Sequence, residues 1–431
     1  MFHDTLVPCA ERRNINMNKI KKYALSELYD MSSGISSTKE QSGHGAPFVS
    51  FKTVFNNYFL PEELPDLMDT NEKEQETYSI KMGDVFITRT SETIDELAMS
   101  CVAVKNYPGA TYSGFIKRLR PKTARIVYPK YMAFYFRSEL FRKAVTNNAF
   151  MTLRASFNKD IFTFLDIYLP DYHEQVKIGD MLYSIECKIQ KNKKINDYLE
   201  EMAKTIYDYW FVQFDFPDKN GKPYKSSGGT FKNGLPIGWN YVPIKNICNI
   251  LSGFSFQSDD YVQNGKYKLL TIKNVQDTGI NLDVDNYINI LPENMPDFCK
   301  LDIGSILMSL TGNVGRVGIL YDSNCLLNQR VSLMQAKNPI MTPFIYCLLK
   351  SSKMRYILES LATGTSQKNL SPIEAGNIMI PYNSEIVKNF SKKVTPLIDS
   401  IITNLKENNN LTNLREWLLP MLMNGQATIE N

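Results

Sequence analysis

Histidine is nearly missing from this 431-residue chain: only His3, His44 and His173 occur, and no spacing pairs them. A histidine-based metal centre or catalytic triad is not expected. The seven cysteines (Cys9, Cys101, Cys187, Cys248, Cys299, Cys325, Cys347) are odd in number, scattered and without one C-x-x-C. That usage fits reduced thiols in a cytoplasm and argues against a zinc site. No run of 18 apolar residues exists, so no segment reads as a membrane span. Met1 to Asn18 carries charges and Pro8 but no apolar core, so it does not read as a secretory signal. Residues 1–17 read as a disordered N-terminal extension, with Met17 as an alternative start.

Catalytic signatures are also missing. No G-x-x-x-x-G-K-[ST] phosphate loop occurs, and Thr311 to Gly318 places its glycines three apart, which is not G-x-G-x-x-G. Those glycines read as a turn that lets the backbone approach something closely. An adenine methyltransferase would need [ND]-P-P-[YF] to hold its base, and none is found. No carboxylates stand paired in an apolar setting, as acid–base chemistry requires. The chain reads as a binding protein with no metal and no catalytic residues.

What is present is ordinary in amount and unusual in order. Hydrophobic residues make up 43% and aromatics 12%, as in folded proteins, and the length implies two to three domains. The net charge of +4 permits nucleic-acid binding through local patches without requiring it. Between Tyr172 and Phe211, steps of three and four residues from Leu182 meet Ile185, Ile189, Asn192, Asn196, Leu199, Ala203, Ile206 and Trp210. An apolar seam over about four heptads marks a helix that packs lengthwise on another helix. At an offset of 212 the seam returns as Val394, Leu397, Ile401, Asn404, Asn408, Leu411, Arg415, Leu418 and Leu422. Both asparagines recur in the same slots. Polar seam positions fix register and partner choice at a cost in stability. Each helix approaches 40 residues, roughly 60 Å if fully helical, and Pro396 predicts a kink or a late start in the second copy.

The repeat extends upstream. Ile167 to Pro170 and Ile378 to Pro381 are matching apolar strands before the helices. Leu25, Leu28 and Ser33-Gly34 match Ile244, Ile247 and Ser252-Gly253 at an offset of 219. Ser50 to Val54, Met82 to Phe86 and Thr90 match Thr271 to Val275, Ile303 to Leu307 and Thr311 at 221. Tyr135 to Ser138 match Leu348 to Ser351 at 213. One unit of about 210 residues is thus used twice. Each unit opens with short strands between turns, such as Val85–Thr88, Ala110–Arg120, Lys268–Ile272 and Ser305–Leu310. A helical stretch follows (Lys130–Val145; Thr342–Leu361), then a strand and the long helix. The predicted class is α+β: two pseudo-repeated globular recognition domains joined by two long antiparallel coiled-coil-like helices. The expected domains are 18–170 and 216–380, with 216–234 a linker, and the helices 171–215 and 381–425. Two heads on stiff helices suit a polymer with a regular repeat, such as B-DNA.

Candidate DNA contacts are polar or cationic residues at matching turns. In the second unit these are Lys273, Asn274, Arg316, Gln329, Arg330, Thr365, Gln367 and Lys368; in the first, Lys52, Arg89, Arg118 and Arg154. Gln and Asn pair with adenine, Arg and Lys with guanine or phosphate. Asn192, Asn196, Asn404 and Asn408 are the candidate register residues.

The layout resembles the specificity subunit of type I restriction–modification systems. The carrying stretches are Leu235 to Trp239, Leu251 to Gly253, Gly364 to Leu370, Met202 to Ile206 with Trp210-Phe211, and Leu414 to Pro420 with Leu422 to Gly425. Their order and duplication, over residues 18–426, are what is specific. The resemblance implies that each globule reads half of a split DNA sequence in the major groove. It also implies helices that set the gap and dock two methyltransferase subunits, through which restriction subunits join. S-adenosylmethionine and ATP would then belong to the partner subunits and not to this chain. A methyltransferase or restriction-enzyme fragment, and a scaffold that does not bind DNA, are the alternatives.

Overall fold

The computed structural model describes residues 20–91, 96–148, 155–364, 367–427 and 429. The chain divides into two compact units: unit 1 is Met1–Ile189 with Asn410–Asn431, and unit 2 is Gln190–Asn409. The expected division into heads and separate helices is therefore drawn differently, because each unit takes in part of both long helices.

Unit 1 contains β1 (Lys21–Ala24), β2 (Tyr29–Ser33), β3 (Ser42–Val49), β4 (Asp66–Met68), β5 (Val85–Thr88) and β6 (Thr90–Ser91). It continues with β7 (Ser100–Val102), β8 (Thr111–Tyr112), β9 (Ile116–Pro121), β10 (Ala155–Ser156) and β11 (Asp166–Leu169). Its main sheet has the order β2-β9-β5-β7, its second β4-β3-β8, and β1 pairs with β11. Unit 2 contains β12 (Phe231–Lys232), β13 (Leu235–Pro236), β14 (Asn240–Pro243), β15 (Cys248–Ser252), β16 (Tyr267–Leu270), β17 (Val275–Gln276) and β18 (Gly279–Ile280). Then come β19 (Tyr287–Ile288), β20 (Lys300–Leu301), β21 (Ile306–Ser309), β22 (Val317–Ile319), β23 (Cys325–Leu327), β24 (Val331–Ala336) and β25 (Met379–Tyr382). Its sheets run β15-β24-β21-β22 and β19-β16-β23-β20, and β14 pairs with β25.

The main sheets correspond strand for strand, and the second sheets share three strands, to which unit 2 adds β20. A parallel pair, β3–β8 in one unit and β16–β23 in the other, sits at the same place in each. Gly83 and Gly304, matched in sequence, both hold positive φ (93° and 89°) in the turn before β5 and β21. Only glycine adopts that conformation without strain. Ser138 and Ser351 break the expected single helices at the same point, giving Pro129–Tyr135 with Glu139–Asn148 and Thr342–Lys350 with Ser352–Leu361. Each hydroxyl caps the following helix, accepting from the Phe141 amide at 3.4 Å or the Met354 amide at 3.2 Å.

The long helices are Tyr172–Tyr207, extended by a π-turn over Asp208–Val212, and Ser384–Met423. The second does not start late: it runs through Pro396, which is exposed. Lys392, whose carbonyl that proline leaves without its helical donor, is exposed as well, while Val387, Phe390, Val394, Ile398 and Ile401 bury the inner face. In unit 1 the helix ends supply Ile178, Leu182, Leu418 and Leu422 to a core with Leu25, Val85, Leu119 and Phe134. In unit 2, Phe211, Trp239, Phe344 and Phe390 form an aromatic core with Ala203 and Ile401. The expected linker is folded as well. Phe216 stacks on Tyr224 at 4.8 Å and meets Trp239 at 5.3 Å, and the Asp215 carboxylate accepts from the Ser226 amide at 2.7 Å. Its Lys, Gly and Ser content concealed a packed aromatic turn.

One pair of glycines locks each head. A Cβ on Gly34 would stand 2.2 Å from the Ser113 carbonyl oxygen, and one on Gly253 would stand 2.2 Å from that of Asn328. Both contacts are backbone and cannot swing aside. Gly253→Ala is expected to cost unit 2 about 2–3 kcal/mol through overpacking, lowering its calorimetric transition. An unchanged transition would show that the turn yields.

Candidate nucleic-acid interface

In unit 2 the turn after β21 meets the segment before Pro372–Asn377. The Gly312 amide donates to the Lys368 carbonyl at 2.8 Å, and Thr311 Oγ1 donates to Asn369 Oδ1 at 3.0 Å. Thr363 and Asn369 exchange both backbone hydrogen bonds, at 2.9 and 2.7 Å, and Gly364 has φ +114°. Gln367 and Lys368, just before Asn369, are exposed. The expected turn at 311–318 is present: Gly312 and Gly315 have φ of 72° and 80°. Ser309 anchors it, its hydroxyl donating to the Asn313 carbonyl and accepting from the Arg316 amide at 3.1 Å.

Beside it lies an open hollow of about 580 Å³, lined by Lys273, Gln276, Asp277, Gly312, Asn313 and Arg316 among others. Asp277 binds two guanidinium groups at once, Arg316 Nη2 at 2.9 Å and Arg355 Nη1 at 2.7 Å. Burial works against its charge, yet the bond from Arg355 and the two positive neighbours hold its carboxyl below the usual aspartate value. Exchanging the oxygen and nitrogen of the Asn313 amide would let it accept from Arg316 Nη1 at 3.0 Å and Nη2 at 3.2 Å. Asp277 holds Arg316 in one orientation at the edge of the hollow. Gln329 and Arg330 are exposed and line a second hollow of about 460 Å³ with Ser252, Thr311 and Asn369.

Unit 1 builds the corresponding place from other side chains. The Phe157 amide donates to the Arg89 carbonyl at 2.8 Å, matching the 2.8 Å bond from Leu370 to Leu310. Ser156 lies opposite Thr90 as Asn369 lies opposite Thr311. Arg89 is exposed, and Phe115, at the tip of the β8–β9 turn, is 67% exposed. Lys117 Nζ donates to Ser33 Oγ at 2.6 Å. Partial burial, then the charge of Arg89, push its ammonium below the usual lysine value. Two cations held close together in this way favour an arriving anion.

Two candidates serve the interior instead. Arg118 is 8% exposed and donates to the Ser79 carbonyl at 2.6 Å, with its guanidinium over Tyr112. Asn274 is 4% exposed and bonds the Thr271 amide and the Asn281 and Asp283 carbonyls, each at 2.9 Å. Strand and turn position therefore turn both away from a surface role. Lys52 and Lys273 sit at matched points of a helical turn after β3 and β16, both exposed, and Lys273 pairs with Asp285 at 2.8 Å. Arg154 and Thr365 lie outside the described residues. The sequence reading missed Phe115, Asp277 and Arg355. Asp277 and Arg355 carry no local signal, since their partners come from distant segments.

The register asparagines meet inside unit 2. Asn192 Nδ2 donates to Asn408 Oδ1 at 3.0 Å and to Glu407 Oε2 at 2.7 Å. Asn404 Nδ2 donates to Asn196 Oδ1 at 2.8 Å, and Asn196 Nδ2 to the Ile401 carbonyl at 3.3 Å. The helix halves are therefore antiparallel.

Among the described residues no group of three or more His, Cys, Asp or Glu is placed to hold a metal ion, and no helix is long and apolar enough to cross a membrane. Two α+β units of one topology, each with a loop face bearing cations or amides, define a duplicated recognition protein. The type I restriction modification DNA specificity domain matches residues 17–201 and 236–413, and the chain belongs to that family. It is 25% identical over 427 residues to the MjaIX type I restriction enzyme specificity subunit of Methanocaldococcus jannaschii, covering 96% of this chain and 94% of that one. It is 22% identical to the HindI specificity subunit of Haemophilus influenzae, covering 95% and 100%. The fold is that of the type I restriction–modification S subunit from M. genitalium, at a TM-score of 0.57 and 16% identity, covering 96% and 98%.

Replacing Asn192, Asn196, Asn404 and Asn408 together by Leu is expected to raise the melting temperature and to allow more than one helix register. Cysteines installed across the pair would trap those registers as different disulfides. A single trapped register in the leucine variant would contradict a register role.

Proposed function

We infer that this chain is the recognition subunit of a type I restriction–modification complex, reading a split DNA sequence with one half-site per unit. The observation that carries this is the repeated junction, Phe157 to Arg89 in unit 1 and Leu370 to Leu310 in unit 2. It sets different side chains on one face of a shared frame: exposed Arg89 and Phe115 with half-buried Lys117 in unit 1, exposed Arg330, Gln367 and Lys368 with half-buried Arg316 in unit 2. A constant frame with variable tips suits two heads that read different bases. Arg316, oriented by Asp277, suits guanine; Gln367 suits adenine; Phe115 suits the methyl of thymine. Lys52 and Lys273 would hold phosphates.

The chain contributes recognition and not chemistry. Two methyltransferase subunits would dock on it and bring S-adenosylmethionine for N6-adenine methylation, and restriction subunits would bring ATP, all in the cytoplasm. Single-molecule sequencing of modified bases in a host expressing this chain with a cognate methyltransferase tests the reading. The expected result is a split motif with methyladenine in both halves, and exchange of residues 216–380 for those of a relative should alter one half only. Unmodified DNA despite a stable complex would favour the scaffold reading.

Binding of the assembled complex to DNA separates the two kinds of contact. Lys273→Ala or Lys52→Ala should weaken all sequences alike and reduce the slope of log K against log salt by about one. Gln367→Ala should instead cost roughly 1–3 kcal/mol at one base pair of one half-site. Flat salt dependence would rule out a phosphate-binding face.

A further inference from the structure

The chain carries two copies of one helix, so each copy has two candidate partners: the other copy in the same chain, or the same copy in a second chain. The central asparagines do not choose between them. Asn192 and Asn196 occupy the slots that Asn404 and Asn408 occupy in the second copy. An antiparallel pair of first helices would set Asn192 against Asn196, the same amide pairing as Asn192 with Asn408. Something else must discriminate.

The seam offers one place where the copies differ in charge. In unit 1, Glu186 (5% exposed) is bound by Arg415 Nη1, and the Arg415 side chain is 11% exposed. The Arg415 guanidinium lies 4.7 Å over the ring of Tyr58 and also meets Glu416 at 2.7 Å. At the offset of 212, Glu186 corresponds to Ile398 and Arg415 to Ala203. Those two, at 4% and 2% exposure, share the apolar core of unit 2. One repeat position is therefore a buried ion pair in unit 1 and two buried apolar residues of one core in unit 2.

Like-with-like pairing destroys this arrangement. Two first helices would set Glu186 against Ala203, and two second helices would set Arg415 against Ile398. Each would bury a charge opposite an apolar side chain, which is far more costly than burying the pair together. Glu416, half exposed beside Arg415, would offset only part of that cost on the second helix, and the neighbouring guanidinium of Arg137 only part of it on the first. We propose that the Glu186–Arg415 pair makes each long helix select the other copy and reject a second copy of itself, so that two different heads share one helix pair. The gain is specificity and not stability, as for charged positions that set coiled-coil partners. This inference does not depend on what the heads bind.

Charge exchange between full-length chains tests it. Glu186→Arg sets two guanidinium groups face to face and Arg415→Glu sets two carboxylates so, and each chain alone should melt about 10 °C lower than the wild type. Co-expressed, the two chains satisfy each other: the first helix of one pairs with the second helix of the other, twice. Native mass spectrometry should then show a dimer with one chain of each kind, more stable than either variant alone. Wild-type monomers should not exchange. Variants that melt with the wild type and remain separate when co-expressed would overturn the proposal. Where neither variant folds alone, Glu186→Ile with Arg415→Ala copies the unit 2 arrangement and keeps the seam apolar. Its tagged form should then capture an untagged copy at least 10-fold more than wild type does, and equal capture would overturn the proposal.

Discussion

A side-chain amide taken out of water has two donors and an acceptor to satisfy, and the long helices bury Asn192, Asn196 and Asn408 in their seam. Only one alignment of two antiparallel copies brings these amides to one another, with Asn404 completing the set. A slip by one heptad would set the amides against Ile and Leu in one direction and against Leu, Ala and Arg in the other, and would break their mutual pairing. Every other seam contact inherits this alignment. Val394, Ile401 and Ala203 reach the unit 2 core, and Leu182, Leu418 and Leu422 reach the unit 1 core, because the amides fix where the helices lie along each other. The amides set distance along the pair, and the Glu186–Arg415 ion pair sets identity.

The heads follow a different rule. Their frames are conservative: the same order in the main sheet, a parallel strand pair at the same place, a glycine against a carbonyl, a serine capping the same helix. Their rims are not. Where unit 1 exposes Phe115 at the turn before its central strand, unit 2 exposes Arg330. The hollow of unit 2 is shaped by a carboxylate shared between two guanidinium groups. A binding surface built on turns that a rigid sheet presents can change its side chains without disturbing the core beneath.

Much of this was legible in the sequence because repetition doubles every signal. The heptad seam, the paired asparagines and the strand before each helix were visible as residues recurring at a near-constant offset. The two breaks within helical stretches were not, because Ser138 and Ser351 sit in runs whose apolar spacing continues across them. Of the kink or late start that Pro396 predicts, the late start is absent, because the proline falls on the exposed face of a helix that begins at Ser384. Arg118 and Asn274 carry base-reading chemistry, yet alternation along β9 and the tight turn after β16 direct them inward. Lys52, Arg89, Gln329, Arg330, Gln367 and Lys368 do stand on exposed turns. Asp277 was invisible, since its importance comes only from partners that folding brings to it.

Unit 2 is one unbroken stretch, Gln190–Asn409, whereas unit 1 needs Asn410–Asn431 to join residues placed before Ile189. During synthesis the ribosome therefore releases everything unit 2 requires before it releases Leu418, Leu419 and Leu422. The domain that is begun first is finished last. Until those leucines arrive, the nascent first head holds Leu25, Phe134 and Leu182 around an incomplete core. Its maturation waits on the second head having been made, which couples the appearance of a competent first head to translation of both.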